Sequence, residues 1–178
     1  MDTAVLGGGI YGVTVALELS KDGHDVDIYE KNDDIMTGAS SINQWRLHRG
    51  YHYPRSFETA SSCRKNEGIF KKYFSDAVIS DTSQYYSIAS EKTKTTPSEF
   101  VDHCEAHDLE YERVELGLVN NEMVDLSLRV NEGRVDPHRI KGICRARLNQ
   151  SDVTVKPNSK LHIDDPQLEG YDHIVIAT

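Results

Sequence analysis

Cysteine is scarce in this 178-residue chain, and the three present are placed for neither bridges nor metal. Cys63, Cys104 and Cys144 are odd in number, widely spaced and free of any C-x-x-C arrangement. That argues against both a disulfide framework and a structural zinc site. They are expected to be reduced, semi-buried thiols. No apolar run is long enough to span a bilayer, and Met1 leads directly into a strand-like stretch with no basic and apolar leader. The expectation is a cytoplasmic protein with no transmembrane segment. Positive charge is also short. Against 29 Asp and Glu there are 20 Lys and Arg, a net charge of −9, which argues against nucleic acid as a partner because phosphate backbones are held by basic surface. Internal repeats and low-complexity segments are lacking, and no G-x-S-x-G follows a strand to mark a serine nucleophile. What remains is an ordinary globular composition in a length that suits about one domain's core.

What the chain does have begins at once. Thr3-Ala4-Val5-Leu6 runs into Gly7-Gly8-Gly9-Ile10-Tyr11-Gly12 and then into a helical pattern with Ile10, Val13 and Leu17 on one side. This is a dinucleotide-binding fingerprint. Gly7 permits the tight turn, Gly9 lets the backbone approach a pyrophosphate, and Gly12 lets helix and strand pack closely, while the N–H groups at the helix start face the phosphates. Gly23 suits a left-handed helix cap, and Val26-Asp27-Ile28-Tyr29 reads as the second strand, ending at Glu30. A carboxylate about 20 residues past the glycine turn accepts hydrogen bonds from the adenosine ribose. An acid there repels the extra phosphate of NADP, the dinucleotide least suited to this site.

Further along, Gly38 to Ser56 is a long stretch crowded with hydrogen-bonding and cationic side chains, more than a connecting loop needs, and reads as a binding loop. Ser56 caps a helix whose inner face is expected to carry Ala60, Cys63, Ile69, Phe70 and Tyr73. From 77 to 130 the pattern turns β-rich, with strands at 85–89 and 124–130. In the second of these, Val124, Leu126, Leu128 and Val130 alternate with outward Asp125, Ser127 and Arg129. Thr96-Pro97-Ser98-Glu99 is a capping box that opens a helix to about His107. His103 and His107 stand at metal-binding spacing, but no third ligand follows, and a solvated polar face accounts for them. The α/β rhythm then returns with a helix from Val135-Asp136-Pro137 to Leu148, a strand at 153–155 and a last strand at 174–177. The fold expected is α/β: a Rossmann-like FAD/NAD(P)-binding domain over 1–76 and 131–178, with an inserted antiparallel β module over 77–130. In a doubly wound fold the residues after a strand's carboxyl end meet the ligand, so the chain reads as truncated at a functional place.

Taken together, Gly7-x-Gly9-x-x-Gly12, Glu30, Ser40-Ser41-Ile42-Asn43-Gln44-Trp45-Arg46-Leu47-His48-Arg49, the Val135-Asp136-Pro137 helix start and the closing Ile174-Val175-Ile176-Ala177-Thr178 resemble a family. It is that of the FAD-dependent oxidoreductases of the D-amino-acid oxidase type, which includes glycine and sarcosine oxidases. The resemblance covers essentially the whole chain but only the first half or so of a member. It implies FAD as cofactor, contacted by Gly7, Gly8, Gly9, Ile10, Tyr11, Gly12, Glu30 and Lys31. It adds Ser40, Ser41, Asn43, Gln44 and Arg46 from the long loop, and Leu161 and Thr178 from later strands. It also implies hydride transfer from a small polar amine, amino acid or hydroxy acid to flavin N5. In that reading the Arg46 cation favours reduced flavin, Arg49 holds a substrate carboxylate, and His48 lies close to the flavin as an acid or base. The C-terminal half that completes the flavin and substrate sites is then missing. Two other readings share the glycines and Glu30: an NAD-linked Rossmann dehydrogenase, and a truncated, non-catalytic dinucleotide-binding domain.

Overall fold

The structure is a computed structural model and describes residues 1–80 and 82–178. In chain order its first elements are β1 (Asp2–Leu6), α1 (Ile10–Lys21), β2 (Asp25–Tyr29), α2 (Ala39–Ile42), β3 (Arg46–Leu47), α3 (Phe57–Tyr73), β4 (Val78–Ile79) and β5 (Gln84–Ala89). They continue with α4 (Pro97–Ala106), β6 (Tyr111–Arg113), β7 (Val124–Val130), β8 (Gly133–Val135), α5 (Pro137–Leu148), β9 (Thr154–Lys156) and β10 (His173–Ile176). These form two compact units, Met1–Gln44 with Pro137–Thr178, and Trp45–Asp136.

The first unit is the expected α/β part. Its sheet runs β10-β1-β2-β9, all parallel, with β1 paired on both sides. Thr3, Ala4, Val5 and Leu6 are all buried, as a strand covered on both faces requires. Gly9 is the N-cap of helix α1, which ends in a Schellman motif. Gly23 takes the left-handed conformation at φ +86°, its N–H donates to Ser20 O, and the His24 N–H donates to Leu19 O. Ala4, Leu6, Tyr29 and Leu168 make a small core, with Leu161 and Tyr171 packed on it.

The second unit carries two antiparallel sheets, β3-β8-β4 and β5-β7-β6. Residues 45–76 group with it because β3 pairs with β8, Arg46 facing Arg134 and Leu47 facing Gly133. Its limits are therefore wider than the 77–130 module expected from composition. Tyr51, Phe100, Cys104, Leu109, Leu126, Leu128 and Val130 form its core.

Several local expectations need correction. Ser127 of β7 is buried, because β5 presents Ser87 opposite it and the two hydroxyls share a hydrogen bond of 2.8 Å. In α3 the capping by Ser56 is present, but Ile69 is 65% exposed and Glu67 is buried in its stead. Glu67 is tolerated there because Arg49 and Lys71 both pair with it, at 2.9 and 2.6 Å. His103 and His107 do not lie on a solvated face; both are buried. The His103 ring bonds Gly50 O at 3.1 Å, and His107 packs against Phe57 with ring centres 4.3 Å apart. Cys104 and Cys144 are fully buried, not semi-buried, and burial pushes both thiols up to about 11.

Candidate cofactor and active site

A groove of about 850 Å³ opens where β1, β2 and β10 end and α1 begins, and first-unit residues alone line it. The turn that shapes it needs glycine for two reasons. Gly7 has φ +112°, and a Cβ there would stand 2.7 Å from Ala177 O; a Cβ on Gly12 would stand 1.9 Å from Gly7 O. Gly9 is different. A Cβ there would meet only the Ser40 hydroxyl, at 3.3 Å. Gly12 thus serves helix–strand packing, while Gly9 leaves room on the groove wall.

Three hydrogen bonds fold the later segments onto this turn. The Met36 N–H donates to Gly8 O at 2.8 Å, and the Ile10 N–H at the start of α1 donates to Ser40 Oγ at 3.0 Å. The Ser159 N–H donates to Glu30 O at 2.8 Å, which brings 159–163 to the groove. Glu30 is buried and ties the site together: Oε2 accepts from the Gly8 N–H at 2.7 Å and Oε1 from the Asn32 N–H at 2.9 Å. The Tyr29 ring forms part of the wall. Its hydroxyl is held by Tyr171 at 2.8 Å and by Lys156 Nζ at 3.0 Å, and Lys156 also pairs with Asp27 at 2.7 Å.

Of the residues named from sequence, Gly7, Gly9, Ile10, Tyr11, Glu30, Lys31, Ser40, Asn43, Leu161 and Thr178 line the groove. Gly8, Gly12, Ser41 and Gln44 do not. Gly8 supports Glu30, Gly12 sits against Gly7, and the Ser41 hydroxyl donates to Gly38 O within its own turn. The stretch from Asn158 to Leu161, expected as an adenine-side strand, does bring Ser159, Lys160 and Leu161 to the wall, but as irregular chain after β9; sequence reasoning missed Asn32, Met36 and His162. Asn158 has a left-handed backbone (φ +55°) that turns the chain so that its N–H reaches Asn32 O at 2.8 Å. The groove pairs a glycine turn and a carboxylate with an apolar wall of Leu6, Tyr29, Leu161 and Ile163. Those are the needs of phosphate, ribose and adenine, so the residues present fit the adenylate half of a dinucleotide.

Arg46, His48 and Arg49 belong to the second unit, where they surround a carboxylate that sequence reasoning also missed. Glu132 has no exposed side-chain surface. It lies 3.6 Å from Arg46 Nη1 and 3.6 Å from His48 Nδ1, and accepts hydrogen bonds from the Arg49 N–H at 3.1 Å and the Tyr86 hydroxyl at 2.9 Å. Burial pushes this carboxyl up, but the His48 imidazole, the Arg49 N–H and the Tyr86 hydroxyl outweigh it and leave the group below its ordinary value. The Arg46 guanidinium also stands 4.8 Å from the centre of the Tyr86 ring. Arg49 turns elsewhere: Nε donates to Glu67 at 2.9 Å and Nη1 to Asn131 O at 3.2 Å. The His48 and His52 rings stack with centres 5.3 Å apart. Among the described residues, no group of three or more His, Cys, Asp or Glu is arranged to hold a metal ion.

The fold and groove define a dinucleotide-binding α/β protein. The family model of the FAD dependent oxidoreductases (DAO) matches residues 2–162, and the chain belongs to that family, whose cofactor is FAD. Over 116 residues it is 36% identical to the FAD-dependent monooxygenase kojA of Aspergillus flavus, covering 65% of this chain and 27% of that protein. Over 79 residues it is 36% identical to the mitochondrial L-2-hydroxyglutarate dehydrogenase of Arabidopsis thaliana, covering 44% of this chain and 16% of that one. Glycine oxidase from Geobacillus kaustophilus has the same fold, with a TM-score of 0.66 at 15% identity over 88% of this chain and 46% of its own. The chain thus spans about a quarter of the length of the kojA protein and under half of the glycine oxidase. Among the described residues, no helix is long and apolar enough to cross a membrane.

Proposed function

We propose that the chain is the dinucleotide-holding part of an oxidoreductase that takes a hydride from a small polar amine, amino acid or hydroxy acid. The groove carries this reading, because it gathers Gly7, Gly9, Glu30, Ser40 and Leu161 from four separate stretches of chain. Membership of the FAD family favours the flavin over the nicotinamide alternative. FAD, when bound, supplies two-electron chemistry by accepting hydride at N5. The chain's own residues do the rest. Gly7, Gly9 and the N–H end of α1 beyond Ile10 hold the pyrophosphate, Glu30 and Lys31 the ribose side, and Leu161 with Tyr29 the adenine. Ser40, Asn43 and Thr178 extend the contacts, and Arg46 places a cation toward the flavin. Arg49 has Nε and Nη1 committed to Glu67 and Asn131, which leaves its Nη2 N–H groups for a substrate carboxylate. His48 supplies a proton acceptor or donor beside them.

The substrate range draws support from the relatives, one of which is named for a hydroxy acid, L-2-hydroxyglutarate. The test has two parts. The whole protein carrying this chain is titrated with FAD and the flavin absorption and fluorescence followed; saturable binding that Glu30→Gln weakens is expected, and its absence overturns the assignment of the groove to FAD. The whole protein carrying this chain is then assayed with small amino acids, N-methyl amino acids and 2-hydroxy acids. Turnover of at least one class is expected, and flavin that stays oxidised with all three points to a binding module without catalysis.

A further inference from the structure

Glu132 has no place in the function proposed above, yet it lies at the centre of the residues assigned to the chemistry. An ionised carboxylate with no exposed surface is costly unless it is paired and hydrogen-bonded. Its partners are Arg46, His48, the Arg49 N–H and the Tyr86 hydroxyl, so all come from the Arg46–Arg49 segment or from β5. Cys63 and Tyr51 also feel its charge. The Arg49 guanidinium does not answer it, being turned to Glu67. Of the two arginines, Arg46 is the one that Glu132 counterbalances.

We propose that Glu132 is a positioning residue acting through Arg46: paired with the guanidinium that stands over Tyr86, it offsets part of that charge, so that the flavin feels less positive potential than Arg46 alone would supply. The proposal rests on the reading of Arg46 as the flavin's cation. Reduction adds negative charge to the cofactor, so a nearby cation raises its midpoint potential and an anion paired to that cation lowers it. At 3.6 Å from a carboxylate with no exposed surface, the half-buried Arg46 cation is coupled closely enough for the charge to be felt through the pair. A purely structural Glu132 predicts the opposite sign, because its loss would displace Arg46 and lower the potential.

The experiment is a redox titration of the whole FAD-loaded protein as wild type, Glu132→Gln and Arg46→Gln. Glutamine keeps an acceptor for the Arg49 N–H and the Tyr86 hydroxyl but carries no charge. The expected result is an upward shift of midpoint potential for Glu132→Gln and a downward shift for Arg46→Gln. A downward or absent shift for Glu132→Gln, with Arg46→Gln still downward, overturns the proposal and spares the reading beneath it. No shift with Arg46→Gln removes that reading and the proposal together. If Glu132→Gln does not fold, the paired variant Arg46→Gln/Glu132→Gln is expected to fold with a urea midpoint near that of Arg46→Gln, and failure of that rescue also overturns the proposal.

Discussion

Gly9 and Gly12 belong to one motif, yet the physics at the two positions differs, and that difference is measurable. A methyl on Gly12 meets the Gly7 carbonyl oxygen at 1.9 Å, backbone against backbone, so neither side can swing away. Gly12→Ala is expected to cost about 3 kcal/mol, the upper end for overpacking, read as a lowered urea midpoint. Gly9→Ala meets only a serine hydroxyl that can turn, so its stability cost is about 1 kcal/mol or less; the added methyl takes ligand space and is expected to weaken FAD at least roughly tenfold. Equal effects on stability from both variants would contradict the division of labour. Glu132 makes a second prediction at this scale. Its folded-state carboxyl lies below the ordinary value, so the stability it contributes is present above the unfolded value and is lost as pH falls through the folded one. Unfolding midpoints measured from neutral to acid pH should fall less steeply in Glu132→Gln than in wild type, and parallel curves would exclude the linkage. The glycines were legible because their constraint is local and Glu30 sits at a fixed remove from them. Glu132 was not, because its partner Arg49 lies 83 residues away and no spacing rule connects them.

Helix α4 shows what an element reveals when its start signal is complete. Thr96 accepts from the Glu99 N–H at 3.3 Å, the Glu99 carboxylate accepts from the Thr96 N–H at 2.7 Å, and Pro97 occupies the first turn, as the sequence implies. Both the N–H and the hydroxyl of Thr96 hold the Glu99 carboxyl below its ordinary value. Thr96→Ala should therefore cost about 1 kcal/mol in chemical unfolding, and an unchanged midpoint would show that the packing of Phe100 and Cys104 alone holds the helix. Where an element depends on distant partners the sequence said less. In α3 the apolar pattern favoured Ile69 for the inner face, but a salt link to Arg49 turns Glu67 inward and leaves Ile69 in solvent. In β7 simple alternation put Ser127 outside, whereas the opposing Ser87 gives its hydroxyl a partner and so allows burial. Strand β3 has two residues, too few for any periodicity, and exists because β8 pairs with it.

At the scale of the whole molecule, the two units make the cofactor assignment testable segment by segment. Every residue that lines the groove belongs to Met1–Gln44 or Pro137–Thr178, and the features that fit the adenylate are the glycine turn, Glu30 and the wall of Leu6, Tyr29 and Leu161. ADP carries the groups those features address and lacks the flavin ring. A ligand that binds only the folded state stabilises what it touches by about 2.7 kcal/mol at a hundredfold excess over Kd. Amide hydrogen exchange with saturating ADP should therefore slow at the glycine turn, in 36–40 and in 159–163, whose hydrogen bonds to Gly8, Ile10 and Glu30 assemble the groove. FAD should slow the same amides, and it alone should extend protection into 46–49 if Arg46 and its neighbours act on the flavin. The two ligands divide the outcomes cleanly. Protection of the first set by both, with 46–49 responding to FAD only, assigns adenylate and flavin to the segments proposed for them. Protection that stops at the groove with FAD as well would leave the adenylate site standing and remove Arg46, His48 and Arg49 from the chemistry, whatever the family resemblance implies.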